Sequence, residues 1–184
     1  MSIKRRTTKS SENKDENELY RKENTIHFYS EIDRKSWLDF DEILHNMNND
    51  ESVEEITLRI SSCGGEMCYA FSIVSLIENS KKPIHGIVDN ECSSAALFLL
   101  LACKTRKATR CSEFLMHEGS SEEELKTSEL IKKYKAEMIL EKESKDYILS
   151  KTNFRSKQYD TITNNGIVFY TDEAIQYGII SAVI

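Results

Sequence analysis

The sequence predicts an α/β fold built around a largely parallel β-sheet. Short apolar runs of strand length alternate with segments in which apolar residues recur every three or four positions, as on one helix face. A glycine pair and the single proline lie between such segments, where turns are expected. Strands that alternate with helices are typical of parallel sheets. The length of 184 residues suits one domain of ordinary size.

The N-terminal segment differs in composition from the rest of the chain. Residues 1–24 are almost all polar or charged, so they can bury too little apolar area to offset the entropy lost on ordering. We therefore predict a disordered tail at residues 1–24 and a single domain at residues 25–184.

The domain is predicted to begin with a strand followed by a helix. The run TIHFY, which starts at Thr25, has the length and composition of a short strand. Apolar residues then follow at spacings of three and four, which predicts a helix with one buried face: Trp37, Phe40, Leu44 and Met47.

Two further units of the same kind follow. Residues 55–60 form the second predicted strand, a glycine pair ends it, and the next helical stripe runs from Met67 to Ile77. Pro83 then precedes a short apolar strand at residues 84–88, after which Ser94 is expected to open the apolar helix AALFLLLA.

The last third of the chain continues this alternation. A buried strand is predicted at residues 114–116, ending at His117, and residues 122–149 read as a long, highly charged helix. Thr171 is expected to cap a short helix, and residues 179–184 form the final predicted strand.

The overall composition excludes several classes of function. Charged residues make up 30% of the chain and the formal net charge is -6, so a general affinity for nucleic acid or acidic membranes is not expected. No apolar run is long enough to span a membrane, and the N-terminus lacks a secretory signal, which predicts a cytoplasmic protein. The 5 cysteines are an odd number, so reduced thiols are expected rather than disulfides.

A candidate catalytic site lies where predicted strands end. Ser94 follows one strand and His117 another, and strand ends are where α/β folds gather their functional groups. A histidine can remove the serine proton near neutral pH and so make the hydroxyl a nucleophile. The backbone N–H groups of Gly65 and Ala95 are the candidate donors for an oxyanion hole.

Each of these features also has a simpler interpretation. Glycine pairs are usually only turns, a lone serine is most often a helix cap, and a lone histidine is more often structural than catalytic. Cys63 and Cys92 flank the candidate site and could supply a thiolate or, with His117, a metal ligand, but no C-x-x-C pair supports this. Only the combination of serine, histidine and glycine pair favours a catalytic site, and we expect no metal or cofactor.

Four segments, taken in order, resemble one known family. The stretches ITLRISSCGGEM, ECSSAALFLLLA, SEFLMHEG and TDEAIQYGIISAVI are similar to the oxyanion loop, the nucleophile helix, the histidine strand and the closing helix and strand of the proteolytic subunit of the Clp protease. The similarity runs from Thr25 to Ile184. The resemblance implies a ClpP/crotonase-like fold of repeated β-β-α units with a long handle helix.

The resemblance also implies an activity and partners. It implies a serine endopeptidase that cleaves unfolded polypeptides, with Ser94 as nucleophile, His117 as general base, and Gly65 and Ala95 as oxyanion donors. It further implies a homo-oligomeric ring of seven subunits, single or stacked in two, that is fed by an ATP-driven AAA+ unfoldase. The chain itself has no G-x-x-x-x-G-K-[ST] motif for ATP, so a partner must supply the energy.

The chain departs from the family pattern in three places. The position of the family's triad aspartate falls on Gly166, the residue before the glycine pair is Cys63 instead of proline, and the acidic run EGSSEEELKTSEL replaces a glycine-rich segment. Asn165, next to Gly166, is the candidate for the third catalytic residue, because an asparagine oxygen can orient an imidazole. Asp160 is its main competitor, and a site with no third catalytic residue is an equal alternative.

Two other functions remain open from the sequence. A catalytically impaired ring subunit with a structural or regulatory role would fit the missing aspartate. An acyl-CoA-handling enzyme on the related crotonase fold would use the same oxyanion donors, but it would not need both Ser94 and His117.

Overall fold

The computed structural model describes residues 19–117 and 127–184 of the protein. The first half contains β1 (Leu19–Lys22), β2 (Thr25–Phe28), α1 (Arg34–Asn49), β3 (Ile56–Ser62), α2 (Met67–Glu78), β4 (Ile84–Ser93) and α3 (Ala96–Ala102). The second half contains β5 (Thr105–Ala108), β6 (Glu113–Met116), α4 (Thr127–Lys151), α5 (Ser156–Asn165), β7 (Ile167–Tyr170), α6 (Thr171–Gln176) and β8 (Ala182–Val183).

The strands form one mixed sheet that is mostly parallel. Its main path has the order β1-β2-β3-β4-β5-β8, while β6 pairs with β4 and β7 pairs with β6. The pairs β1–β2 and β6–β7 are antiparallel and the other described pairs are parallel. The predicted α/β fold with a largely parallel sheet is therefore confirmed.

Strand β4 is the longest strand and divides the sheet into two branches. Residues 85–88 of β4 pair with β5, whereas residues 91–93 pair with β6. This strand thus extends beyond the predicted residues 84–88. Its last residues reach the edge at which β6 also ends.

The apolar core lies between one face of the sheet and the helices α1, α2 and α3. Alternate residues of β3 are buried, as expected for a strand with one face on the core. The predicted stripe on α1 is also confirmed, since Phe40, Leu44 and Met47 are buried and Trp37 is partly buried. Asp33 and Ser36 form a capping box that starts this helix.

The structure corrects the predicted extent of the N-terminal tail. Residues 19–22, which we assigned to the tail, form β1 and pair with β2 from Leu19 opposite Phe28 to Lys22 opposite Thr25. The ladder satisfies the backbone of this segment and buries Leu19, so its polar side chains do not prevent ordering. Residues 1–18 lie outside the described part of the chain.

Several other elements differ from the prediction. Strands β5 and β7 and helix α5 were not predicted, and Thr171 is the first residue of α6 while Tyr170 occupies the cap position. The long charged helix is confirmed from Thr127, whereas the acidic residues 118–126 lie outside the described residues. None of the helices in the described ranges combines the length and apolar character needed to cross a membrane.

Candidate active site

Three parallel strands bring the candidate residues to one edge of the sheet. Ser62 of β3 pairs with Cys92 of β4, and Cys92 pairs with Phe114 of β6. Because the strands are parallel and in register, their carboxyl ends meet at the same edge. The glycine pair, Ser94 and His117 follow these ends in the sequence, so the fold gathers them there.

Ser94 lies in a tight turn between β4 and α3. Its φ angle is 52°, in the left-handed region that non-glycine residues rarely adopt. Its N–H donates a hydrogen bond to the backbone oxygen of Leu115 at 2.8 Å, which ties the serine to the strand that ends at His117. The side chain is half-buried.

The position of Ser94 corrects one detail of the sequence analysis. We expected Ser94 in the first turn of the apolar helix, but α3 begins at Ala96. The positive φ angle of Ser94 turns the chain sharply between strand and helix. Sequence alone does not predict such an angle at a residue other than glycine. Strained backbone of this kind is concentrated at functional sites.

Gly64 packs directly against the turn that carries the serine. Its φ angle is 101°, and a Cβ atom placed on it would lie 2.7 Å from the backbone oxygen of Ser93 and 2.9 Å from both the Ala95 nitrogen and the Ser94 Cβ. Only glycine allows so close an approach of two backbones. The sequence does not reveal this role of Gly64, because the contact depends on how two loops meet in space.

The candidate oxyanion donors flank this contact. The Gly64 oxygen accepts a hydrogen bond from the Ile32 N–H at 2.7 Å, and the Glu66 N–H donates to the Ile32 oxygen at 2.8 Å. Gly65 therefore lies between two hydrogen bonds of a parallel bridge, and its own N–H points away from Ile32. Neither this N–H nor that of Ala95 has an acceptor within the described residues. Two free amides beside a serine are what a developing oxyanion requires.

His117 follows β6 directly and is exposed. Strand β7 runs antiparallel to β6 with Met116 opposite Ile167, so the residue before Ile167 stands next to His117. That residue is Gly166, and a Cβ atom on it would lie 3.8 Å from the His117 Cβ. The position that the family resemblance gives to the triad aspartate is thus adjacent to the histidine.

The two candidates for the third catalytic residue both have partners in α5 or α4. The Asn165 amide nitrogen donates to the backbone oxygen of Thr161 at 2.6 Å, within its own helix. The Asp160 carboxylate forms an ion pair with Lys145. Asn165 would have to rotate its side chain away from Thr161 to reach the imidazole.

The cysteines near the site have different environments. Cys63 is exposed beside the glycine pair, whereas Cys92 is fully buried, and this burial raises the pKa of its thiol well above the usual value. A thiolate at Cys92 is therefore unfavourable near neutral pH. Among the described residues, no group of three or more His, Cys, Asp or Glu side chains is arranged to hold a metal ion.

Comparison with known proteins gives consistent results. The sequence model of the Clp protease family matches residues 8–184. A solved structure of a ClpP1 mutant from Listeria monocytogenes superposes with a TM-score of 0.75 at 20% identity, over 85% of this chain and 88% of that one. At this identity the structural match shows a shared ClpP-like α/β fold only. No curated protein matches the sequence.

Proposed function

The chain belongs to the Clp protease family, and from this premise we propose that it is a serine endopeptidase subunit that cleaves unfolded polypeptides. The observation that carries the proposal is the hydrogen bond from Ser94 N–H to the Leu115 oxygen. This bond fixes the nucleophile candidate beside the strand that ends at His117. Serine and histidine so placed are the two groups that acyl transfer needs.

In the proposed acylation step, His117 takes the proton of the Ser94 hydroxyl while the oxygen attacks the peptide carbonyl. The carbonyl electrons move to the oxygen, and the N–H groups of Gly65 and Ala95 hold the resulting oxyanion. When the tetrahedral intermediate collapses, the imidazolium gives its proton to the departing amine. The product is an ester between the N-terminal fragment and Ser94.

Water completes the proposed cycle by hydrolysing this ester. His117 takes a proton from the water as it attacks the ester carbonyl, and the same two amides hold the second oxyanion. The proton then returns to the Ser94 oxygen, and the carboxylic acid product leaves. No metal or cofactor enters either step.

Asn165 is our candidate for the third residue of this mechanism. Its side-chain oxygen would accept from the imidazole Nδ1–H and hold the ring with Nε2 toward the serine. This requires the Asn165 side chain to exchange its bond to Thr161 for one to His117. The rival function, an impaired ring subunit with a structural or regulatory role, is favoured by one observation, which is the glycine at position 166.

We further propose that the subunits assemble into a ring of seven, single or stacked, and receive substrate from an ATP-driven unfoldase. Membership of the Clp protease family supports this proposal. A ring that encloses its catalytic sites would admit only chains that are already unfolded.

Labelling with a fluorophosphonate tests the proposed nucleophile. Such a probe reacts readily only with a serine that is activated by a base near an oxyanion hole, so we expect modification at Ser94. The products are located by peptide mass spectrometry. Ser93→Ala is a matched control, because Ser93 is buried and immediately precedes Ser94, and it should label like the wild type.

Two results would contradict the proposal. One is a wild-type protein that remains unlabelled and hydrolyses a fluorogenic peptide no faster than Ser94→Ala, which would support the structural role instead. The other is equal labelling of wild type and Ser94→Ala, which would place the reactive serine elsewhere.

A further inference from the structure

A concave site lies at the end of the sheet opposite Ser94. The cavity has a volume of about 420 Å³, and the charged residues of its lining are four lysines, Lys81, Lys82, Lys104 and Lys151, together with Glu78. We call these residues the lysine pocket. It lies where β4 and β5 begin, whereas Ser94 follows the end of β4. At the rise of a strand, the 10 residues of β4 separate the two sites by about 30 Å.

The only carboxylate among these residues is already satisfied. Glu78 accepts hydrogen bonds from the Lys151 ammonium at 2.8 Å and from the Tyr147 hydroxyl at 2.9 Å. Burial raises the pKa of Glu78, but the hydrogen bonds from Lys151 and Tyr147 outweigh it and hold the pKa below its usual value. Glu78 and Lys151 therefore neutralise each other.

The other three ammonium groups are not paired with a carboxylate. Lys81 donates to the side-chain oxygen of Asn49 at 3.0 Å, and Lys82 donates to the backbone oxygen of Asp50. Lys104 has no side-chain partner in the described residues. The carboxylate of Asp50 itself pairs with Arg21 at 2.7 Å, so it does not compensate the lysines.

Helix dipoles account for only part of this positive charge. Helices α2 and α3 end beside the pocket, and each carboxyl end carries a partial charge of roughly minus one half. Two such ends offset about one of the three unpaired ammonium charges. A concentration of positive charge therefore remains around a concave site, in a chain whose formal net charge is -6.

We propose that the lysine pocket binds an oligophosphate anion. Lysine binds phosphate as a flexible point charge, and three such charges around one cavity suit a ligand with several phosphate groups better than a single carboxylate. The ligand would be a free inorganic oligophosphate or the phosphate chain of a nucleotide. Binding there is independent of the proposed peptidase activity.

Isothermal titration calorimetry of the full chain tests the proposal, with sodium tripolyphosphate in one arm and ATP in the other. We expect saturable binding at low salt that weakens as NaCl is raised from about 0.05 M to about 0.5 M, because salt screens the ammonium groups. Comparable affinity in the two arms would assign the site to any oligophosphate chain, and much tighter binding of ATP would assign it to a nucleotide.

Two variants of equal charge distinguish the pocket from general attraction. Lys104→Ala should weaken tripolyphosphate binding about fivefold, the effect expected for one exposed charge pair. Lys107→Ala removes an exposed lysine of β5 that does not line the pocket, and it should bind like the wild type. Equal affinities of Lys104→Ala and Lys107→Ala, or no binding by the wild type in either arm at low salt, would overturn the proposal.

Discussion

Gly166 meets two separate structural requirements at once. It ends α5 in the left-handed conformation with a φ angle of 57°, which is the usual role of glycine at a helix C-terminus. It also stands beside His117, at the position where a side chain could orient the imidazole. The helix end favours glycine here, whereas the proposed chemistry would favour a hydrogen-bond acceptor.

Gly166→Asp is expected to raise peptidase turnover. Among the described residues, a Cβ at this position meets only the His117 Cβ, at the ordinary contact distance of 3.8 Å. A carboxylate there would lie beside the imidazole and stabilise the imidazolium that forms during acylation. Loss of the orienting residue in a tuned triad lowers turnover about 10⁴-fold. A variant that restores even part of this effect should therefore turn over substrate more than about tenfold faster than the wild type. Turnover is measured with a short fluorogenic peptide, in assemblies of equal mass.

Two variants at the same position serve as controls. Gly166→Ala introduces a Cβ and the same backbone strain without a polar group, and it should not gain activity. Gly166→Asn adds a neutral amide of the same shape, so a smaller gain is expected than for the aspartate. A gain of equal size in Gly166→Ala would show that the carboxylate is not responsible.

Asn165→Ala is expected to lower turnover at least tenfold, because the imidazole would lose the acceptor that selects its tautomer. The substitution also removes the hydrogen bond from the Asn165 side chain to the Thr161 oxygen at the C-terminal end of α5, so the free energy of unfolding is measured in parallel. Asp160→Ala removes the ion pair with Lys145 and should leave turnover within about twofold of wild type. Unchanged turnover in Asn165→Ala would exclude it and leave a serine and histidine dyad.

Among the secondary-structure elements, the loop after β3 and the turn after β4 are held together by a contact between backbones. Gly64→Ala is expected to lower the free energy of unfolding by about 2 to 4 kcal/mol, since the new Cβ would overlap three atoms of the Ser94 turn and φ is strongly positive. Gly166→Ala is the matched control, because it shares the positive φ but within the described residues its new Cβ makes only an ordinary contact, 3.8 Å from the His117 Cβ. Denaturant unfolding of both variants measures the difference.

Gly64→Ala should cost at least about 1 kcal/mol more than Gly166→Ala. Equal losses would mean that backbone strain, and not the close approach to Ser94, explains the need for glycine at position 64. The same variant should also reduce fluorophosphonate labelling, because it displaces the turn that presents the serine.

The sequence predicts best those elements whose apolar side chains face the core at a regular spacing. Helices α1 and α2 and strands β3 and β6 are of this kind, and their residues were assigned almost to their ends. Strands β1 and β5 are short and mostly polar on their exposed faces, so their sequences do not predict them. They are identified only by their hydrogen bonds to neighbouring strands. Helix α5 buries only Tyr159, Ile162 and Thr163, and β7 is a four-residue apolar strand in which only Phe169 is buried. Neither element shows the regular alternation of buried and exposed residues by which the other elements are predicted.

The candidate site, like the fold, is predicted from the sequence only in part. The serine, the histidine and the glycine pair could be found from their spacing, because they follow strands whose pattern is clear. The positive φ of Ser94 and the contact of Gly64 with the serine turn depend on how two loops meet, which no local pattern encodes. The family resemblance predicts that position 166 lies near His117, and the structure explains this proximity by the antiparallel pairing of Met116 in β6 with Ile167 in β7.

On the scale of the whole molecule, several large apolar side chains remain on the surface of the described residues. Tyr134 and Met138 lie one helical turn apart on α4 and are 61% and 53% exposed, while Val168 and Tyr170 of β7 are 47% and 52% exposed. Single exposed apolar residues are common, but groups of them mark surfaces that bind partners. A second copy of the chain is the partner that the proposed ring requires.

Light scattering coupled to size exclusion tests this assembly. We expect a mass of at least about 149 kDa, seven times the 21.3 kDa chain, at micromolar concentration. Met138→Glu places a charge on α4 and should lower the mass of a stacked double ring to that of a single ring, whereas Lys142→Glu, one turn further along, should not. A monomeric mass for the wild type would contradict the proposed ring.

The long strand β4 and its two branches also bear on the order in which the subunit can fold. Ser94 and His117 are 23 positions apart in the sequence, whereas His117 and Gly166 are 49 apart, and closing the longer loop costs more chain entropy. Contacts between distant segments form late in folding, so β7 should join β6 after the β3–β4–β6 edge has assembled. Ser94 and His117, the proposed nucleophile and base, are then expected to come together before Gly166 reaches His117. We therefore expect a chain still emerging from the ribosome to lack the contact between Gly166 and His117 until β7 has paired with β6.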